Sequence, residues 1–260
     1  AAATGAGCSF NPDGITFGVD LHQNQDGIDY IAWCWDAGDT TGANYEGTIQ
    51  SNVRSDGQFS VVQYDGNNGP NTLVGHGLNS APSLIIAKST TQPYDWAVYH
   101  IDTGVNKLLS LNTSNTTTTV NNYWGSVVSN TTFGVADANN STNNTLGMIA
   151  YCWAESPTQN FGSYVGTGVS GLEVTCGFEP ACVLTKCTDG IDDWSIADNQ
   201  RPLKSLRPNT AQAEDDAAKV EFTSTGFRIL ESNSIRINEA GKTYIYAAFA
   251  GTTTRFDADD

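Results

Sequence analysis

Short runs of apolar and β-branched residues recur along the chain, broken by turns of Gly, Asn and Asp. This rhythm leaves little room for a long amphipathic helix and predicts an antiparallel, all-β protein. The runs also resemble one another. "YIAWCWDAG" from Tyr30 has a close cousin in "MIAYCWAES" from Met148 and a weaker one in "YIYAAFAGT" from Tyr244. Each follows a similar lead-in, around Phe17, Phe133 and Phe227, so that a strand, a turn and a strand recur together. A second element recurs twice, "VVQYDG" at Val61–Gly66 and "FGSYVG" at Phe161–Gly166. Downstream of it Pro82, Lys88 and Trp96 reappear at Pro180, Lys186 and Trp194 with one offset (180 − 82 = 186 − 88 = 194 − 96 = 98).

These repeats predict tandem antiparallel β-sandwich units, jelly-roll-like, of about 95 residues each. Residues 1–50 read as a partial N-terminal unit holding only the closing half of a repeat. Residues 51–156 form one sandwich unit, and 157–260 a second one with an acidic C-terminal tail. In this scheme Tyr30–Trp35 is the closing core strand of the partial unit, with Cys34 as a small buried side chain. Such a strand needs a facing sheet and paired edges, supplied by the following unit, by a neighbouring subunit through strand addition, or by earlier residues of a longer polypeptide. Asn209–Phe222 is the one segment with the makings of a helical turn or two.

Charge narrows the partners. With 28 acidic against 12 basic residues the net charge is −16, which repels nucleic acid and anionic lipid. No apolar run reaches the roughly 18 residues needed for a spanning helix, so membrane insertion is not expected. Six cysteines raise disulfides among Cys8, Cys176, Cys182 and Cys187 as an alternative to buried thiols, while Cys176, Cys182 and Cys187 lack the paired spacing of a zinc site.

Candidate chemistry is sparse. His22, His76 and His100 lie in different segments, and no nucleophile elbow, zincin helix or phosphate loop is present, so no enzyme and no cofactor is expected. Calcium is conceivable at Asp189–Asp193 or at the tail Asp257–Asp260, although neither has the alternating ligands of a dedicated calcium loop. Aromatic residues give a better lead: Trp96, Tyr99 and Trp124 adjoin loops, where an exposed ring stacks on a sugar. Trp194 adjoins a loop as well, but the recurrence of Trp96 and Trp194 at equivalent places favours a core pillar for both, an objection that Trp124 escapes. The Asn/Thr/Ser-rich stretch from Leu111 to Leu146 contains sequons at Asn112, Asn115, Asn130, Asn139, Asn140 and Asn143, which read as turn formers or, in a glycosylating cell, as glycan acceptors.

The order "FSVVQYDG", "VGHGLNSAPSLIIAKS", "DWAVYH", "MIAYCWAES", "FGSYVGTG", "GFEPACVLTKCT", "DDWSI" and "YIYAAFAG" resembles a domain found in tandem in tail or fibre-type virion proteins of marine and environmental tailed phages. That resemblance implies a non-enzymatic structural protein at a virion surface or outside the cell, in a tail fibre or a capsid decoration. Its partners would be other virion subunits, as a homo-oligomer, and a host-surface glycan. Two alternatives remain from the residues: a lectin-like attachment module, and a glycosylated extracellular filament subunit.

Overall fold

The computed structural model describes residues 8–11, 14–18, 24–135 and 141–251. Among them there is no helix, and every strand-to-strand ladder is antiparallel. The helical turns anticipated at Asn209–Phe222 are absent; a turn, bends and a bridge occupy that segment up to the strand that begins at Val220.

The chain divides into two compact units, Ala1–Trp35 and Asp36–Asp260. The first contains a hairpin of β1 (Cys8–Asn11) and β2 (Gly14–Phe17). Tyr30–Trp35 is not a strand, Tyr30 is 49% exposed and Cys34 is exposed, which corrects the expectation of a buried closing strand there. An apolar run becomes a core strand only where strands flank it to take its N–H and C=O groups. Tyr30–Trp35 joins no ladder, whereas its cousins at Met148 and Tyr244 each lie between two strands.

Within the second unit, the earlier lobe comprises β3 (Thr41–Asn44), β4 (Ser51–Ser55), β5 (Phe59–Tyr64), β6 (Thr72–Gly75), β7 (Pro82–Ser89), β8 (Ala97–His100), β9 (Lys107–Leu108), β10 (Thr118–Thr119), β11 (Thr132–Val135) and β12 (Met148–Ala154). Its large sheet runs β3-β4-β5-β12-β7-β8, and β11 pairs with β6. The later lobe comprises β13 (Gln159–Val165), β14 (Leu172–Thr175), β15 (Cys182–Cys187), β16 (Ser195–Asp198), β17 (Val220–Thr223), β18 (Gly226–Ile229) and β19 (Thr243–Phe249). Its sheets run β13-β19-β15-β16 and β14-β18-β17. The order β5-β12-β7-β8 thus has its counterpart in β13-β19-β15-β16, and β11-β6 in β18-β14. Registers correspond as well: Cys152 lies opposite Ile85 and Ala248 opposite Val183, partners separated by the offset seen in the sequence (183 − 85 = 98).

Each lobe has its own core. Met148, Ala150 and Cys152 point from β12 into a cluster with Val62, Ile85, Trp124 and Phe133. Tyr244, Tyr246 and Ala248 do the same from β19, toward Val183, Phe227 and Ile237. The period-two alternation puts other apolar residues on the far face of each large sheet, where a lone sandwich would meet water. Those residues are buried too: Phe59, Leu84, Val98 and Trp153 in one lobe, Phe161, Ile196, Ile245 and Phe249 in the other. The rings of Trp153 and Phe249 approach to 6.2 Å, and Trp194 Nε1 donates to Ser110 O at 2.9 Å. These far-face residues therefore join the lobes through a third apolar layer, each such side chain contributing about 1.5–3 kcal/mol.

Candidate functional site

Strand pairing gathers most of the chemically conspicuous side chains at two kinds of corner in the lobes. In the first corner, the residue two after Tyr64 is Gly66, which lets the chain turn tightly against the loop before β12; a Cβ there would meet Asn143 and Asn144 atoms at 2.5 Å. Gly166 has the same place after Tyr164, where a Cβ would lie 2.2 Å from Glu239 O. Tyr64 donates its hydroxyl proton to Thr142 O at 2.7 Å, and Tyr164 to Ile237 O at 2.9 Å. Next to each carbonyl is a fully buried amide. Asn143 Oδ1 accepts from Asn67 N and Asn238 Oδ1 from Thr167 N, both at 2.9 Å. Asn143 is therefore enclosed and unavailable as a glycan acceptor; Asn112, Asn115 and Asn130 are exposed, and Asn139 and Asn140 lie outside the described residues. Nothing in the sequence distinguishes these two buried amides from turn asparagines, and only the matching Tyr-x-Gly upstream hints at them.

The second corner is an Asp-Trp-Asn clamp at the start of β8 and β16. Trp96 N donates to Asn112 Oδ1 at 2.9 Å, and Asn112 Nδ2 returns a bond to Asp95 Oδ1 at 2.8 Å. Trp194 N donates to Asn209 Oδ1 at 3.1 Å, and Asn209 Nδ2 to Asp193 Oδ1 at 2.7 Å. The indoles differ: Trp194 is 2% exposed, as a pillar should be, whereas Trp96 is half-buried. Two of the three candidate sugar contacts are enclosed. Trp124 is fully buried, with Nε1 donating to Val98 O at 3.2 Å, and Tyr99 packs edge-on against it at 6.1 Å. Neither offers a face to a ligand, because the polar flanks of "NNYWGS" are turn residues around an inward-pointing ring. Trp96 alone of the three retains exposed surface.

Both described histidines are neutral structural groups. His76 Nδ1 accepts from Leu78 N at 3.0 Å, so the proton is on Nε2, which donates to Ser129 O at 3.1 Å. His100 repeats the arrangement, accepting from Asp102 N at 3.2 Å and donating to Tyr246 O of the other lobe at 3.0 Å. Burial lowers the pKa of both below the ordinary value, against the opposing pull of the carbonyl each faces. In the later lobe Cys176 takes the place of His76: His76 N bonds Thr131 O as Cys176 N bonds Thr225 O. His22 lies outside the described residues.

Lys186 is wholly buried. Its ammonium donates to Cys187 O and Asp192 O, each at 2.9 Å, and to Ser114 O of the earlier lobe at 3.4 Å. Burial lowers its pKa, while Cys187, Asp192 and Asp193 oppose that shift. Lys88, its counterpart, is partly exposed and donates only to Ser89 O and Gln92 O, each at 2.8 Å. All six cysteines are free thiols; Cys152, Cys176, Cys182 and Cys187 are buried and Cys8 is exposed like Cys34. Among the described residues no group of three or more His, Cys, Asp or Glu side chains is disposed to hold a metal ion. In the Asp189–Asp193 loop two carboxylates cap backbone, Asp189 accepting from Thr243 N at 3.1 Å and Asp192 from Asp193 N at 2.6 Å, while Asp193 takes side-chain donors. The tail Asp257–Asp260 lies outside the described residues.

A family described as a domain of unknown function, DUF7483, matches residues 2–252. The chain belongs to this family. The DUF7483 match spans both lobes and also the hairpin that precedes them. No curated protein and no solved structure matches the chain.

Proposed function

We propose that this DUF7483 protein is a non-enzymatic structural protein, working through contacts with other protein chains in an extracellular assembly such as the virion surfaces its sequence resembles. The observation that carries the reading is how its reactive groups are used. His76, His100 and Lys186 are each bonded to backbone carbonyls inside or between lobes, and Trp124 and Trp194 bond carbonyls in the same way. A catalytic group needs a titratable atom facing a cleft. Here the Nε2 atoms of His76 and His100 and the Nζ of Lys186 donate to backbone carbonyls instead.

The hairpin β1-β2 supports the same reading. Phe10 is 81% and Phe17 42% exposed. Among the described residues β1 and β2 pair with no third strand; a two-stranded ribbon by itself is marginal in water, and an unpaired strand edge is a template for another chain. Sedimentation velocity of the purified chain at micromolar concentration tests the proposal. A species several times the 27.7 kDa chain mass is expected. A monodisperse monomer that also fails to join other chains of its assembly contradicts it.

A further inference from the structure

We infer that the cleft beside Asp95 receives a guanidinium group, supplied by an arginine side chain of a partner polypeptide. The two Asp-Trp-Asn clamps agree at one carboxylate oxygen and differ at the other. Asp193 Oδ1 holds Asn209, and its Oδ2 takes Arg207 Nη1 at 3.3 Å. Asp95 Oδ1 holds Asn112 in the same way, but Asp95 Oδ2 receives no protein donor among the described residues. Backbone bonds identify what replaces the arginine. Val98 N donates to Leu109 O as Ile196 N donates to Leu206 O, so Ser110 stands where Arg207 stands (206 − 109 = 207 − 110 = 97). The smaller side chain leaves space. Asp95 and Ser110 line a cleft of about 220 Å³ together with Thr113, Asn115, Thr116 and Leu108.

The later lobe therefore carries in cis the group that the earlier lobe lacks. The cleft offers a carboxylate oxygen, several hydroxyl and amide oxygens as acceptors, and an apolar wall for a methylene stem, which together suit a planar cation with many N–H donors. A net charge of −16 also favours a cationic visitor. The inference deepens the protein-contact reading, and rests on it only for the source of the arginine.

The test is a titration of the full isotope-labelled chain, followed by amide chemical shifts, with N-acetyl-arginine amide, its neutral isostere N-acetyl-citrulline amide, and methyl α-glucoside. Arginine is expected to move resonances around Asp95 and Ser110–Thr118 and to bind about tenfold more tightly than citrulline, as a charge-assisted contact should. Asp95→Asn, whose Oδ1 still accepts from Asn112, should reduce arginine binding by about the same factor. Ser110→Arg should fill the cleft from within and abolish it. Equal binding of arginine and citrulline, glucoside as the sole ligand, or arginine binding indifferent to Asp95→Asn each overturns the inference; if Ser110→Arg fails to fold, Asp95→Asn still decides. Arginine binding by a chain that never assembles would keep the cleft and bring down the structural reading instead.

Discussion

The connection after β8 and the one after β16 do the same job with opposite chemistry. From Leu108 to Thr131 the earlier lobe has no charged residue; the segment is Asn, Thr and Ser around the buried Tyr123 and Trp124. The corresponding part of the later lobe is ionic: Arg201 pairs with Asp198 and Glu214, Arg207 with Asp193 and Asp215, and Arg236 with Asp215. Both connections nevertheless return a residue to the same clamp, Asn112 in one and Asn209 in the other. The pairing order constrains where a loop must end, and little else about it. What fills the space between decides how each lobe responds to truncation, acid and salt.

The largest effect should come from the rings. Trp124→Ala opens a cavity in the earlier core, and Trp194→Ala removes both a core pillar and the bond to Ser110 O. Each should cost about 3–5 kcal/mol in urea unfolding monitored by fluorescence and circular dichroism. A loss below about 1 kcal/mol at either site would mean that the ring is not packed as described. Next come the buried amides: Asn143→Ala and Asn238→Ala each strand backbone groups, at about 1–3 kcal/mol. Because the corners are alike, the two losses should agree; a difference of the whole effect would break the equivalence.

Acid should separate the lobes. A histidine held below its ordinary value of 6.5 takes up its proton more readily in the unfolded chain. The stability that His76 and His100 contribute is therefore complete above that value and is lost as pH falls through their lower folded values. Both belong to the earlier lobe, where protonation puts a second N–H against Leu78 N or Asp102 N. In the later lobe burial alone would raise Asp215, but Ala217 N, Arg207 and Arg236 outweigh it and hold the carboxyl at about 2, against 3.8 ordinarily. Its contribution is present above 3.8 and disappears only as pH falls toward 2. Thermal melts across pH should show His76→Cys flattening the upper phase and leaving the lower one in place. Salt gives the smallest effect: screening the ion pairs at about 1 M NaCl should cost the later lobe about 1 kcal/mol or less and the earlier lobe almost nothing.

The all-β, antiparallel frame was legible because short apolar runs between Gly, Asn and Asp turns leave it as the one arrangement. The common offset of Pro82, Lys88 and Trp96 has a parallel in the registers of Cys152 with Ile85 and Ala248 with Val183. The fate of Tyr30–Trp35 was not legible. An apolar run has the same pattern whether or not strands flank it, and pairing is decided by chain elsewhere. Trp124 misled for a local reason: asparagines beside an indole suggest a surface, but they are the turn that aims the ring inward. Asn143 fits the turn reading of its sequon, but its burial was not legible, since a surface turn and a buried corner use the same residue. The third apolar layer was half-visible, as strands such as "SLIIAKS" that are apolar on both faces, a pattern that calls for cover on both sides.

The central claim is that the groups resembling chemistry are structural, with the earlier lobe held by neutral histidines and the later one by ions. Hydrogen exchange by mass spectrometry, corrected for intrinsic rates and compared between about pH 7 and about pH 5, tests it directly. Protection should fall in β6 and β11, beside the Ser129 carbonyl that His76 holds, while β14 and β18 keep theirs. Equal loss in both pairs of strands, or loss first in β14 and β18, would contradict the account.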